Sequence, residues 1–220
     1  MTNIRIKVVS DTVCPWCYVG RRQLQQAERL WKQKNPADTF TVSYEPYQLR
    51  PDWPKGPSSS RDKQQMYLEK FGPQMVTQMR ARLDAVGQSL GINFKHGGRT
   101  GNTFDSHRLA HISKKYGNEV HEKVIDGLFA AYFENEKDIT DYAVLKDVAT
   151  TAGIPGDEFD KAITNGTDGA AEVERAVIEA QMSGVNGVPD FTIQDRFKVN
   201  GAREPEAFFA VFERAKQLEG

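Results

Sequence analysis

Strand-like patterns occur only towards the two ends of this 220-residue chain, and that distribution limits the folds it can adopt. Apolar and polar residues alternate, as in half-buried strands, in four short stretches: IRIKVVS (4–10), FTVSYEP (40–46), DFTI (190–193) and FKVN (197–200). Between residues 61 and 166 the apolar spacing is helical, and no convincing strand is predicted. The simplest topology is an α/β domain that is built from both ends of the chain and interrupted by a helical insertion.

The order of these patterns predicts three segments. Residues 1–53 and 167–220 form the two parts of the α/β domain, and residues 54–166 form the helical insertion. The two strands of the first part flank a helix, which is typical of a βαβ unit with parallel strands. The last two strands are predicted to form a hairpin around Gln194 to Arg196.

Helices are predicted from apolar stripes and from capping residues. Asp11 and Thr12 are candidate caps of the first helix, and Pro15 suits its first turn. The predicted buried face of this helix consists of Leu24, Ala27, Leu30 and Trp31. Two stripes in the insertion predict further buried faces, namely Phe71, Met75, Met79 and Leu83, and Val120, Val124, Leu128 and Tyr132. Helices are also predicted over residues 168–183 and 204–218.

The charge balance narrows the classes of partner. The chain has 29 basic and 30 acidic residues without a block of like charge, so it lacks the electrostatic attraction that nucleic acids or anionic membranes require. The amino-terminal MTNIRIKVVS lacks the continuous apolar run of a signal peptide, and no later stretch could span a bilayer. We therefore expect a cytoplasmic protein that acts on small-molecule or protein substrates, without nucleic-acid or membrane partners.

The only two cysteines, Cys14 and Cys17, lie three positions apart at the predicted start of the first helix. Residues at this spacing on a helical turn are close enough for a disulfide that forms and opens with little backbone movement. The free N–H groups at a helix start stabilise a thiolate, and cysteines there commonly have a pKa of about 3.5 to 7.5 instead of about 8.5. Cys14 is the predicted nucleophile, and the more shielded Cys17 is the predicted resolving thiol.

A lone CxxC motif also has other interpretations. A reducing cytosol disfavours a structural disulfide. The cysteines could form half of a zinc site that His107 and His111 complete, although zinc sites usually pair CxxC with another tight pair of ligands. Their spacing could also be accidental. Asp11, three residues before Cys14, is either a proton relay for Cys17 or a helix cap.

Three motifs occur in a specific order: SDTVCPWCYVG (10–20), NTFDSHRL (102–109) and GVNGVP (184–189). Together they resemble the DsbA-like thioredoxin superfamily and, within it, the FrnE-type branch, over about residues 4–215. The resemblance implies a thioredoxin fold with a helical insertion domain and an oxidoreductase or isomerase activity. It also implies that Cys14 and Cys17 cycle between dithiol and disulfide, and that a cis Pro189 faces them.

The resemblance also indicates where a substrate binds. The candidate contacts are Pro15, Trp16, Val188, Asn102, Phe104 and His107. An exposed Trp16 would offer apolar contact area to a peptide or to glutathione, and the Val188 backbone can pair with an extended substrate. The NTFDSHRL segment is similar to the part of the family's insertion that faces the dithiol, although His107 is equally well explained as a packing residue.

Three functions remain open from the sequence. The first is a thiol–disulfide oxidoreductase for protein or small-molecule disulfides, with no bound cofactor or metal and with glutathione as a candidate reductant or co-substrate. The second is a glutathione-dependent transferase or isomerase, since kappa-class transferases and 2-hydroxychromene-2-carboxylate isomerases share this architecture. Those relatives have serine where Cys14 stands, which argues against this function. The third is a redox sensor whose dithiol changes its affinity for a partner.

Asp190 departs from the family pattern, in which an uncharged residue commonly follows the proline. In the strand DFTI, Phe191 and Ile193 share one apolar face, so Asp190 and Thr192 lie on the other. Central strands are normally apolar on both faces, and we therefore expect Asp190 to be partly desolvated or paired. A carboxylate within about 6 Å of Cys14 would oppose its thiolate and make the dithiol a weaker oxidant.

Overall fold

The computed structural model describes residues 1–218. Within that range the strands are β1 (Asn3–Ser10), β2 (Thr39–Pro46), β3 (Arg61–Asp62), β4 (Arg99–Thr100), β5 (Asp190–Ile193) and β6 (Phe197–Asn200). The α-helices are α1 (Pro15–Lys34), α2 (Lys63–Phe71), α3 (Pro73–Leu90), α4 (Phe104–Ser113), α5 (Asn118–Phe133), α6 (Tyr142–Ala152), α7 (Gly156–Phe159), α8 (Ala170–Met182) and α9 (Pro205–Gln217). Short 3₁₀ turns occupy Pro57–Ser59 and Lys114–Tyr116, and a π-helix over Asp160–Thr164 continues α7.

The chain folds into two compact units. The first unit contains Met1–Tyr47 and the chain from Ala176 onward, and the second unit contains Gln48–Arg175. The boundary between the two units, between residues 175 and 176, falls within α8. The segment boundaries after residues 53 and 166 stay predictions, and the last two residues of the predicted third segment, 219 and 220, lie outside the described residues.

A four-stranded sheet with the order β2-β1-β5-β6 forms the centre of the first unit. β1 and β2 are parallel, which confirms the predicted βαβ unit. β5 is antiparallel to β1 and to β6, with Asp190 opposite Val9 on one side and Asn200 on the other. The predicted hairpin is also confirmed, and its turn contains Gln194 and Asp195 with φ angles of 50° and 54°.

One face of this sheet forms an apolar core with α1 and α9. All four strands contribute buried side chains to it: Ile4, Ile6, Val8, Val42, Phe191, Ile193 and Val199. Phe191 meets Phe208 of α9 edge to face, with 4.9 Å between ring centroids, and Trp31 of α1 meets Phe212 at 5.7 Å. Because each ring removes a large apolar area from water, this layer contributes strongly to the stability of the first unit.

The opposite face of the sheet is polar except near the carboxyl end of β1. Lys7 and Thr41 are exposed on it. At the end of β1, however, Val9 packs with Ala180 of α8 and with Val185 of the loop that follows α8. These contacts hold the loop between α8 and β5 over the carboxyl end of β1, which is also where the chain turns into α1.

A buried carboxylate ties the amino end of β1 to α1 and α9. Asp38 is 1% exposed and accepts hydrogen bonds from the Thr2 backbone N–H at 2.9 Å, from Trp31 Nε1 at 3.1 Å and from Lys216 Nζ at 2.7 Å. Burial alone raises the pKa of Asp38, but the bonds from Lys216, Thr2 and Trp31 outweigh it and hold that pKa below its usual value. The carboxylate is therefore ionised and stabilises this end of the unit.

The start and the buried face of α1 differ from the prediction. Cys14 is the N-cap residue of α1, so Asp11 and Thr12 as caps are wrong. Pro15 occupies the first turn, where its missing N–H costs no hydrogen bond. Leu30 is not part of the buried stripe, because it lines an open groove between α1 and α9 and is 39% exposed.

The core of the second unit is helical, as predicted. Val124, Leu128 and Tyr132 of α5 are all buried, and this predicted stripe is confirmed at these positions. The stripe predicted from Phe71 to Leu83 is wrong at its first two positions. α2 ends at Phe71 and α3 begins after Gly72, so Phe71 and Met75 do not share one helix face and are exposed.

Two short strands in the second unit were not predicted. β3 and β4 pair as an antiparallel ladder, with Arg61 opposite Thr100 and Asp62 opposite Arg99. The expectation of no strand between residues 61 and 166 is therefore wrong for these four residues. Two-residue strands are too short to produce an alternating pattern, which is why the sequence does not reveal them.

The second unit also buries a lysine. Lys63, at the start of α2, is 5% exposed, and its ammonium lies 4.4 Å from the centroid of the Tyr132 ring. Its Nζ donates a hydrogen bond to the Tyr132 carbonyl at 3.4 Å. Burial lowers the pKa of Lys63 to about 8, Glu136 opposes this shift, and Arg80 adds to it.

This burial predicts a pH-dependent stability. Below pH 8 Lys63 is charged in both states, and the folded state bears the cost of burying the charge. As the pH rises from about 8 towards 10.5, the folded state loses this proton first, so the free energy of unfolding rises by about 3 kcal/mol. Urea denaturation at pH 7 and pH 10 should reveal the rise relative to a Lys63→Met variant. The matched control is Lys137→Met, which removes an exposed lysine of the same unit. The difference in free energy of unfolding between wild type and this control should not change with pH. If that difference changed as much as the one between wild type and Lys63→Met, the prediction would be contradicted.

Candidate active site

The two cysteines lie in the turn between β1 and α1. The backbone N–H of Cys14 donates to the carbonyl of Asp11 at 3.0 Å, and the N–H of Cys17 donates to the carbonyl of Cys14 at 3.0 Å. Cys14 therefore sits at the amino-terminal end of α1, and Cys17 lies in its first turn. Both thiols are free, and the two residues are 5% and 2% exposed.

The environment of Cys17 disfavours its thiolate. Burial raises the pKa of the Cys17 thiol well above its ordinary value, and the hydrogen bond and charge of Cys14 raise it further. The Ser10 side chain and the Asp11 backbone form hydrogen bonds that act in the opposite direction. Because the thiolate is the attacking species, Cys17 is a poor nucleophile towards an external disulfide at neutral pH, which suits a resolving thiol.

A cis proline immediately before β5 lies beside the first cysteine. The Val188–Pro189 peptide bond is cis, as the family resemblance implies. The Cys14 thiol contacts the Val188 carbonyl, with 3.6 Å between Sγ and O. Val188 is half-buried and also packs against the cluster formed by Val9, Ala180 and Val185. The loop before β5 therefore brings a backbone carbonyl directly to the thiol at the start of α1.

Gly20 allows this close approach of the helix and the loop. A Cβ atom at position 20 would lie 2.9 Å from Pro189 Cγ and 3.0 Å from Phe191 Cζ, closer than ordinary van der Waals contact. The glycine that ends SDTVCPWCYVG is thus explained by packing. It lets α1 lie against the first residues of β5, which keeps Cys14 beside Val188.

Asp190 is both desolvated and paired, which confirms the expectation for it. The residue is 7% exposed, and its Oδ1 accepts a hydrogen bond from Lys198 Nζ of β6 at 2.8 Å. Thr192 lies on the same face of β5 and is directly opposite Lys198. The ion pair therefore runs diagonally across the hairpin.

The other predicted residues of the first unit differ in their exposure. Asp11 is fully buried, and its carbonyl holds the turn at Cys14; a proton-relay role for its carboxylate stays a prediction. Trp16 is half-buried, so the prediction that its position leaves it exposed is wrong. Pro15 is also half-buried. Substrate contacts by Pro15, Trp16 and Val188 stay predictions.

The predicted contacts on the insertion belong to the second unit. Asn102 accepts bonds from Gln48 Nε2 at 2.8 Å and from the Phe104 N–H at 2.9 Å, and its amide donates to the Trp53 carbonyl at 2.6 Å. The amide thus ties the chain after β2 to the start of α4. Phe104 and His107 are buried on α4. A role of Asn102, Phe104 or His107 towards the dithiol stays a prediction.

Two residues of the site were missed from the sequence. Ser10 ends β1 and bonds the Cys17 thiol, but a serine at a strand end has no pattern that marks this contact. Lys198 could have been found, because the predicted hairpin register places it on the same face as Asp190.

Residues 1–218 contain neither a candidate metal-binding cluster nor a candidate membrane-spanning helix. Within residues 1–218, no three His, Cys, Asp or Glu side chains are grouped so that they could hold a metal ion. None of the helices in that range has both the length and the hydropathy to cross a bilayer.

The sheet order, the helical unit between β2 and β5, and the dithiol next to a cis proline define a thioredoxin-fold protein of the DsbA-like type. The sequence profile of the DsbA-like thioredoxin domain matches residues 5–212. The chain therefore belongs to the DsbA-like thioredoxin domain family, and the resemblance inferred from the three motifs is confirmed at this level.

Several known proteins are similar to this chain over almost its whole length. The uncharacterized protein YwbO of Bacillus subtilis is 27% identical in an alignment 214 residues long that covers 94% of each chain. A structure described as a probable DsbA oxidoreductase from Streptomyces coelicolor is 27% identical, with a TM-score of 0.85 over 97% of this chain and 90% of that one. The cytosolic disulfide reductase DsbM from Pseudomonas aeruginosa, solved with GSH, is 14% identical and shares the fold, with a TM-score of 0.62 over 97% of this chain and 99% of its own.

Proposed function

We propose that this protein is a thiol–disulfide oxidoreductase of the FrnE-like type that cycles Cys14 and Cys17 between dithiol and disulfide. The observation that supports this most directly is the placement of Cys14 Sγ 3.6 Å from Val188 O, with Cys17 buried one helical turn deeper. One thiol lies beside backbone that an extended substrate can use, and the second lies beside the first.

The proposed reaction consists of two thiol–disulfide exchanges. First, the Cys14 thiolate attacks one sulfur of a substrate disulfide, which breaks the substrate S–S bond and forms a mixed disulfide; the released substrate thiolate takes up a proton. Second, Cys17 loses its proton and attacks the Cys14 sulfur, which releases the other substrate thiol and leaves a Cys14–Cys17 disulfide. Two electrons pass from the protein to the substrate, and the reverse sequence oxidises a substrate dithiol.

The proposed substrates are disulfide-containing proteins or small molecules. Glutathione is the proposed reductant, because two glutathione molecules supply the two electrons that return the Cys14–Cys17 disulfide to the dithiol. The similar DsbM structure was solved with GSH, which makes glutathione the first reductant to test. We also propose a cytoplasmic location, which is that of the similar cytosolic disulfide reductase DsbM.

The alternative glutathione-dependent transferase or isomerase activity is tested by a separate assay. The family resemblance implies serine at the position of Cys14 in relatives with that activity, whereas this chain has a thiol there. Conjugation of glutathione to an electrophilic aromatic substrate should therefore stay at the background rate. Insulin reduction driven by dithiothreitol should proceed, and a protein that only senses redox state would catalyse neither reaction.

We expect the Cys14–Cys17 pair to have a reduction potential of about −200 to −230 mV, in the glutaredoxin range, compared with about −120 mV for DsbA. DsbA-type motifs place a histidine between the cysteines, and its positive charge stabilises the thiolate of the reduced form. Pro15 and Trp16 bring no charge to that position. Equilibration in glutathione buffers, followed by thiol alkylation, measures the potential; a value above about −150 mV would contradict this account.

A further inference from the structure

The ion pair between Asp190 and Lys198 includes the residue that directly follows the cis proline. Asp190 directly follows Pro189, and only that residue separates it from Val188, whose carbonyl contacts Cys14 Sγ. Two residues of chain span about 7 Å at most between Cα atoms. With the Val188 carbonyl and its 3.6 Å contact to Cys14 Sγ added, the Asp190 Cα lies within about 13 Å of that sulfur. At low ionic strength, where the Debye length reaches about 30 Å, a charge at that distance influences a thiolate.

We propose that Lys198 is a positioning residue that sets the reduction potential of the Cys14–Cys17 pair by neutralising the Asp190 carboxylate. This inference rests on the proposed function. It adds a residue of β6 to the active site, although Lys198 itself carries out no step of the exchange.

The surroundings of Asp190 explain why it needs this partner. Its side chain is 10% exposed, so water screens its charge weakly, whereas the Lys198 side chain is 53% exposed. Its direct neighbours across the sheet, Val9 and Asn200, carry no charge. Lys198 Nζ reaches Oδ1 at 2.8 Å from the diagonal position. Within the described residues, Lys198 is therefore the ion-pair partner of Asp190.

Loss of that lysine should make the dithiol more reducing. An uncompensated carboxylate nearby disfavours the thiolate form of reduced Cys14 relative to the disulfide. The disulfide carries no charge and is affected less. The equilibrium therefore moves towards the oxidised protein, which means a lower reduction potential.

The test measures the equilibrium constant for oxidation by glutathione at low ionic strength. Lys198→Gln should raise this constant about tenfold, which corresponds to a potential about 30 mV lower. Lys198→Arg should restore the wild-type value, because it keeps the charge. Lys7→Gln removes an equal charge from the same sheet face, where Lys7 is opposite Thr192, and should change the constant much less. The Lys198→Gln effect should also shrink in high salt.

A double-mutant cycle decides whether Lys198 acts through Asp190. In an Asp190→Asn background, the further change Lys198→Gln should have little effect, since the carboxylate is already absent. An equal effect in both backgrounds would overturn the inference, as would no effect in wild type or an equal effect of Lys7→Gln. Wild-type protein without any exchange with glutathione would instead overturn the proposed function.

Discussion

Replacing Cys14 with serine should abolish disulfide exchange with both insulin and oxidised glutathione. Cys14 is the cysteine at the helix end and the one whose sulfur contacts the Val188 carbonyl. The remaining thiol, Cys17, is 2% exposed and has a raised pKa, so little thiolate is present to attack an external disulfide. We expect turnover to fall to the uncatalysed rate, measured by insulin turbidity with dithiothreitol as the electron source.

The Cys14→Ser variant should still fold, because serine is close in size to cysteine and position 14 is the N-cap of α1. Serine is also among the preferred N-cap residues. Thermal unfolding of the variant should therefore match that of the reduced wild-type protein. If a folded variant retained turnover, Cys17 would have to react with substrate directly, and the assignment of the two roles would be reversed.

The architecture could be predicted because strand patterns and helix patterns occupy different parts of the chain. The alternation in β1 and β2 and the hairpin of β5 and β6 correspond to one buried face of a sheet, and burial on one face is what produces a period of two. Asp190 was expected to be desolvated or paired because a central strand is normally covered on both faces. Its partner Lys198 required the additional step of writing out the hairpin register.

The wrong predictions share a physical cause. A local sequence pattern does not show where a helix ends or which other elements pack against a side chain. Phe71 and Met75 fit one helical stripe in sequence, but Gly72, at φ 74°, ends α2 between them. Leu30 fits the stripe of α1, yet it lines an open groove beside α9. Trp16 is half-buried although its place between the cysteines suggested exposure. Tertiary packing decides each of these positions.

The second large effect concerns Cys17→Ser, which should trap the reaction after its first step. Cys14 keeps its place at the start of α1 and beside Val188, so the first exchange still forms a mixed disulfide and releases one substrate thiol. Without Cys17 no internal thiol attacks that bond. We expect one substrate per protein molecule to react in a single burst, and steady turnover to stop.

Non-reducing electrophoresis and intact mass should detect this mixed disulfide on Cys14 in the Cys17→Ser protein and only a transient amount in wild type. Glutathione must be omitted, because an external thiol can replace the resolving cysteine in a monothiol cycle. In wild type, the raised pKa of Cys17 means that its thiolate fraction increases with pH, so release of the second substrate thiol should accelerate as the pH rises. Full turnover of Cys17→Ser in the absence of glutathione would show that another group resolves the intermediate. The buried sulfur next to Ser10 would then have a purely structural role.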